Sequence, residues 1–117
     1  MNINLNKFSK SEVKKIRELA ALAWERELRA ELNKLRAIFA EMDEGLCPFQ
    51  VNEEIDSFHN GVSRELFKRY SDTDPFFAVC RARFKNILTD EDLADTSDAV
   101  RDRIEEMVDV VGGRIEY

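Results

Sequence analysis

Apolar residues recur along the first third of the chain in steps of three and four. Val13, Ile16, Leu19, Ala20, Ala23, Trp24, Leu28, Leu32, Leu35, Phe39 and Met42 form one stripe, which is the period of an α-helix. From Leu28 the steps are four, three, four and three, the spacing of a coiled-coil seam. Ahead of it Leu19, Ala21 and Leu22 widen the stripe, which suits contact with more than one neighbour. No glycine or proline interrupts the run from Ser9 to Glu44, so the pattern predicts a single helix about 50 Å long. A compact chain of this length has a radius of gyration of about 13 Å and a diameter of roughly 35 Å. The helix is therefore expected to project, with its stripe covered by a second copy or another protein. Trp24, Leu28, Leu32, Leu35 and Phe39 are the expected dimer interface.

The start of this helix is well marked. Ser9 as N-cap with Glu12 three residues on is a capping box, and Phe8 with Val13 is the matching hydrophobic staple. Glu25, Arg26, Glu27, Arg29 and Glu31 read as a solvated outer face. Gly45 is placed to end the helix and Pro48 to prevent its resumption. Asn52, followed by Glu53 and Glu54, is the expected N-cap of a second helix. That helix runs to about Tyr70 with Ile55, Phe58, Val62, Leu66 and Tyr70 inward, and Gly61 lies inside it. The short break between the two predicts antiparallel neighbours.

Asp74-Pro75 is a second clear start, opening a helix that carries Phe76, Phe77, Val79, Cys80, Phe84, Ile87 and Leu88. This is the most hydrophobic segment and the expected centre of the core. Thr89 to Asp92 begins a short fourth helix. Thr96 or Ser97 caps a fifth, with Val100, Ile104, Met107, Val108 and Val111 inward and Gly112-Gly113 at its end. Residues 114–117 are expected to fray. The reading is all-α: a long helical hairpin stalk over about 9–70, a small helical head over about 74–111 and a short tail over 112–117. It makes a single domain that dimerises through the stalk.

Charge narrows the partners. The 117 residues hold 18 Lys+Arg against 24 Asp+Glu, a net charge of −6. This argues against nucleic acid, whose phosphates demand a basic face. No apolar run reaches the ~20 residues a membrane span needs. The opening residues Met1 to Asn6 lack the pattern of an export signal, and Cys47 and Cys80 have no paired spacing. A cytoplasmic, reducing compartment is expected.

Candidate chemistry is sparse. His59 is the sole histidine, with Asp56 and Ser63 within one turn, so a helical-bundle enzyme or a ligand- or metal-binding protein using His59 and Asp56 is the alternative reading. A metal site needs more ligands than this pair supplies, and neither cysteine has a histidine at a recognisable spacing. No Gly-rich phosphate loop or nucleophile elbow is present. Two small basic clusters, Arg81-Arg83-Lys85 and Arg64-Lys68-Arg69, read as solvated cations. The expectation is a non-catalytic protein with no cofactor or metal.

With this order of helices, the chain resembles the fluorescence recovery protein family. The carrying stretches are Phe8-Ser9, then Ala23-Trp24-Glu25-Arg26-Glu27-Leu28, similar to the family's Ala-Tyr-x-Arg-Glu-Leu segment. Phe58, Glu65, Leu66 and Tyr70 match an aromatic-to-tyrosine helix, and Leu93 to Ile104 is similar to its last helices. The resemblance covers roughly Phe8 to Ile104. It implies a helical dimer that acts on another protein, in that family a photoactivated carotenoid protein. The family's functional face centres on a Trp, a His-Asp pair and an Arg. Aligned through Tyr70, this chain has Glu53, Asp56, Ser57 and Ser63 there. That departure favours a relative from outside cyanobacteria with an unidentified protein partner, a carotenoid-protein-like target among the candidates. Phe58, His59, Asn60, Arg64 and Arg103 are the expected partner-binding residues, Arg103 carried over as a matching basic surface position.

Overall fold

The computed structural model describes residues 8–115, among which every regular element is a helix and none is a strand. The order is α1 (Lys10–Asp43), α2 (Pro48–Asn60), α3 (Val62–Ser71), α4 (Pro75–Phe84), α5 (Asp90–Leu93) and α6 (Asp98–Ile115). The expected capping box opens α1. The Ser9 side chain accepts from the Glu12 N–H at 3.1 Å, and Glu12 accepts from the Ser9 N–H at 2.9 Å. Glu12 also accepts from the hydroxyl of Ser97, whose Oγ in turn accepts from the Val100 N–H at 3.2 Å as the cap of α6. The starts of α1 and α6 are thereby joined. Thr96, the other candidate cap, is buried and donates to the Leu93 carbonyl.

The end of α1 also follows expectation. Gly45 has φ +113°, its N–H reaches the Met42 carbonyl, and the Leu46 N–H reaches that of Glu41. This reciprocal pair is a Schellman ending.

Four boundaries differ from the sequence reading. α2 begins at Pro48 rather than after Asn52, with Cys47 as N-cap. Proline has no N–H to lose at the first helical position, so it starts this helix instead of blocking it. Gly61 does not lie within a continuous helix; it separates α2 from α3 at φ −104°, ψ −97°. A Cβ built there would stand 2.7 Å from the Ser57 carbonyl oxygen, so only glycine fits this break without a shift. α4 stops at Phe84. Asn86 takes φ 61°, and the N–H groups of Asn86 and Ile87 bond to the carbonyls of Arg83 and Ala82. This is a second Schellman ending, built on asparagine, the next most tolerant residue in that region. α6 runs through Gly112-Gly113 to Ile115, because glycine lowers helix propensity by only ~1 kcal/mol and does not forbid the conformation. Arg114 and Ile115 lie in that helix. The side chain of Val111 and the last two residues of the expected tail lie outside what is described.

A single core joins Ile16, Leu19, Ala20 and Ala23 of α1, Leu66 and Tyr70 of α3, five residues of α4 from Phe76 to Ala82, Leu88, Leu93, and Val100, Ile104 and Met107 of α6. α4 is its hub, packing on both α1 and α6. The core takes only the first half of α1, and no residue of α1 beyond Ala23 is buried. α2 doubles back along this distal half, and Val51 is its one buried residue. The molecule measures 55 × 27 × 24 Å with a radius of gyration of 17.3 Å, well above the ~13 Å of a compact chain of this length. The long helix projects.

Candidate interaction surface

The exposed face of α1 can be followed residue by residue from the core outward. Trp24, the first residue beyond the core, is half-buried. Its ring stacks on Tyr70 at 5.8 Å with planes 7° apart and meets the edge of Phe67 at 6.0 Å. Leu28 is partly buried against the same core. Leu32 is 45% exposed, Phe39 42% and Phe67 56%, while Met42 is exposed at the end of the stripe. Leu35 is half-buried and lines a groove of about 310 Å³ with Ile38, Phe58 and Val62. The five residues expected to pair two copies thus divide. Trp24 and Leu28 are engaged largely within the chain, Leu35 lies against α2, and Leu32 and Phe39 are open.

The residues expected to bind a partner also divide. Phe58 is half-buried in the groove between α1 and α2. His59, Asn60 and Arg64 are exposed on either side of the Gly61 break. Asp56 accepts a hydrogen bond from the Asn60 amide at 3.0 Å. Arg103 stands on α6, which packs on α4, and pairs with Glu106 at 3.1 Å. It does not share an element pair with the other four.

Arg26 and Glu27 correct the reading of a solvated outer face. The Arg26 guanidinium forms a fork onto Asp92 at 2.6 and 2.8 Å and also donates to the Ile87 carbonyl at 2.8 Å. Such bidentate pairs are the strong, geometrically specific kind. With the Thr89 N–H also donating to Asp92 at 2.7 Å, the Asp92 carboxyl is held well below the usual carboxylate range by the Arg26 hydrogen bonds. Glu27 accepts from Tyr70 Oη, from Arg69 at 3.2 Å and from Arg81 at 3.4 Å. Burial, then the bond to Glu27, raises the Tyr70 phenol far above its ordinary value. Arg81 and Arg83, read from sequence as solvated cations, are both mostly buried. Arg81 holds Glu27, and Arg83 holds Asp90 at 2.5 Å and Glu105 at 3.4 Å. The signal for these pairs was present only as i, i+1 charges at the edge of the apolar stripe, where their three-dimensional partners are invisible.

Arg26, Glu27, Glu65, Leu66, Arg69 and Ile87 border a cleft of about 400 Å³ between α1 and α3. Its arginines already carry carboxylate partners, so it offers no free charge of one sign. Among the described residues no group of His, Cys, Asp and Glu is arranged to hold a metal ion, and no helix is long and apolar enough to cross a membrane. Cys47 is exposed and Cys80 buried, each a free thiol. Comparison with protein-family models, with curated proteins and with solved structures finds no match to this chain.

Proposed function

We propose that this chain is a non-catalytic, cytoplasmic accessory protein that pairs with a second copy along α1 and binds another protein, biasing that protein's conformation. The observation that carries the reading is the bare distal half of α1. Twenty residues beyond Ala23 contain none that is buried, yet Leu32, Phe39 and Met42 continue its apolar stripe. Phe67 extends the patch through its contact with Trp24. Exposed contiguous apolar surface of this kind marks an interaction site, and a second copy offers a complementary stripe at no further cost in sequence.

The resemblance to the fluorescence recovery protein family supports both the dimer and the regulatory role, with an unidentified protein as partner, a carotenoid-protein-like target among the candidates. The exposed His59, Asn60 and Arg64 beside the α2–α3 break are the proposed contacts for that partner, with Arg103 on α6 and Phe58 beneath them. Such a protein acts by preferring one state of its target, since a ligand shifts an equilibrium only through its differential affinity. The two free cysteines support a reducing compartment.

Size-exclusion chromatography with light scattering tests the dimer. The expected result is twice the 13.6 kDa chain mass across a dilution series, with Leu32→Glu giving monomer. A wild-type monomer at every concentration, or a Leu32→Glu variant of unchanged size, overturns it.

A further inference from the structure

The face of α1 that carries the apolar stripe does not begin at Trp24. Continued toward the N-terminus in the same three- and four-residue steps it reads Ala21, Arg17, Lys14 and Lys10. One face of one helix is thus basic at its base and apolar toward its tip. Lys10, Lys14 and Arg17 are exposed, and among the described residues none has a carboxylate in salt-bridge reach. Eight other cations do: Arg26, Arg29, Lys34, Arg69, Arg81, Arg83, Arg101 and Arg103; Lys15, Arg36, Arg64, Lys68 and Lys85 do not, but no three of these follow one another along one face of one helix. Glu12, the nearest acid of the first turn, is taken by Ser9 and Ser97, and Glu18 flanks the stripe without pairing to it.

This arrangement works against the helix that bears it. Like charges three and four residues apart repel, and Lys10, in the first turn, also faces the positive end of the helix dipole. Glu12 in the first turn and Glu18 four residues after Lys14 offset part of this, and an acidic partner would offset the rest.

A second copy is a poor occupant. Parallel pairing sets Lys10, Lys14 and Arg17 against their own duplicates. Full antiparallel overlap sets them against Leu35, Phe39 and Met42. A staggered antiparallel dimer buries the apolar tips and leaves the basic base of each α1 free. The three cations span about 10 Å, two turns of a facing helix and far less than the phosphate track of a duplex. The chain's net charge of −6 disfavours approach to a polyanion or an anionic bilayer more than to a short segment bearing three carboxylates.

We propose that Lys10, Lys14 and Arg17 form a docking site for an acidic helical segment of a partner protein, one with carboxylates at i, i+4 and i+7 followed by apolar residues that meet Ala21 and Trp24. The three cations lie outside the proposed dimer patch, which the apolar part of the site meets at Trp24.

The test uses a fluorescein-labelled, end-capped helical peptide of roughly 18 residues with Glu at i, i+4 and i+7 and Leu one and two turns beyond. Its anisotropy is titrated with the full chain, beside a peptide with Gln for each Glu, vesicles of phosphatidylserine and phosphatidylcholine, and a short DNA duplex. The expected result is binding of the Glu peptide that weakens at least tenfold in Lys14→Glu/Arg17→Glu and again in high salt. Lys68→Glu/Lys85→Glu, of equal net charge, should bind as wild type. Thermal melts of the stripe variant and the control variant, followed by circular dichroism, separate lost binding from lost folding: the stripe variant should melt within a few degrees of wild type. No binding, equal binding of the Gln peptide, unchanged binding by the stripe variant, or tighter binding of vesicles or DNA each overturns the proposal. Light scattering on the same samples reports the dimer separately.

Discussion

Glu27 of α1 is the residue on which Arg69 and Tyr70 of α3 and Arg81 of α4 converge. Removing it strands Arg69, Arg81 and the Tyr70 hydroxyl at a mostly buried site. Glu27→Ala is expected to cost about 2 kcal/mol, read as a lower urea midpoint, and Glu27→Gln to recover part of it. Asp92 gives a pH test. Its carboxyl is depressed in the folded state, so the unfolded chain takes up a proton first. The stability it supplies is complete above the unfolded value, about 3.9, and is lost as pH falls through the folded one. Urea melts between neutral and acid pH should show a flatter acid limb for Asp92→Asn than for wild type. The thiols differ in kind: burial pushes Cys80 up to about 12, whereas Cys47 is exposed. One thiol per chain should react promptly with a disulfide reagent in the folded protein, and two in denaturant. Little of this was legible in the sequence. Ser9, Glu12 and Asp74 announce themselves because a cap and its helix are neighbours in the chain. Arg26 and Glu27 do not, because Asp92, Arg69 and Arg81 lie 42 to 66 residues away.

At the scale of elements, the type of each helix was legible and some of its limits were not. The periodicity of α1 and its glycine ending fix where it runs, and the structure agrees with both. Pro48 and Gly61 misled for opposite reasons. Proline ends helices and also begins them, and only the φ/ψ of Cys47 decides which. Glycine is tolerated inside a helix and also breaks one, and only the approach of the Ser57 carbonyl decides that. Gly61→Ala tests this reading. The new Cβ meets backbone at 2.7 Å, so α2 or α3 must move, at an expected cost of about 1–2 kcal/mol measured by chemical denaturation. If the break were incidental, the same change would stabilise, as alanine does inside a helix.

Across the whole molecule the apolar residues are unevenly shared. The continuous core joins the first half of α1 and α3 to the helices of the head, and the arm formed by distal α1 and α2 holds Val51 and an open groove. Elongation was legible because a helix of this length cannot fit a globule of this mass. The allocation of Trp24 and Leu28 to the chain's own core was not, since a stripe on one helix does not say which neighbour reaches it first.

That uneven sharing has a kinetic consequence. Amide protons exchange through local openings whose free energies follow local burial, so the arm and the head should behave as separate opening units. Amides of residues 30–43 and 48–58 should exchange well before those of α4 and the first half of α1. Whatever covers the arm should slow them selectively. Protection gained there on raising the protein concentration would trace the footprint of the covering surface, while the head's exchange stayed the same.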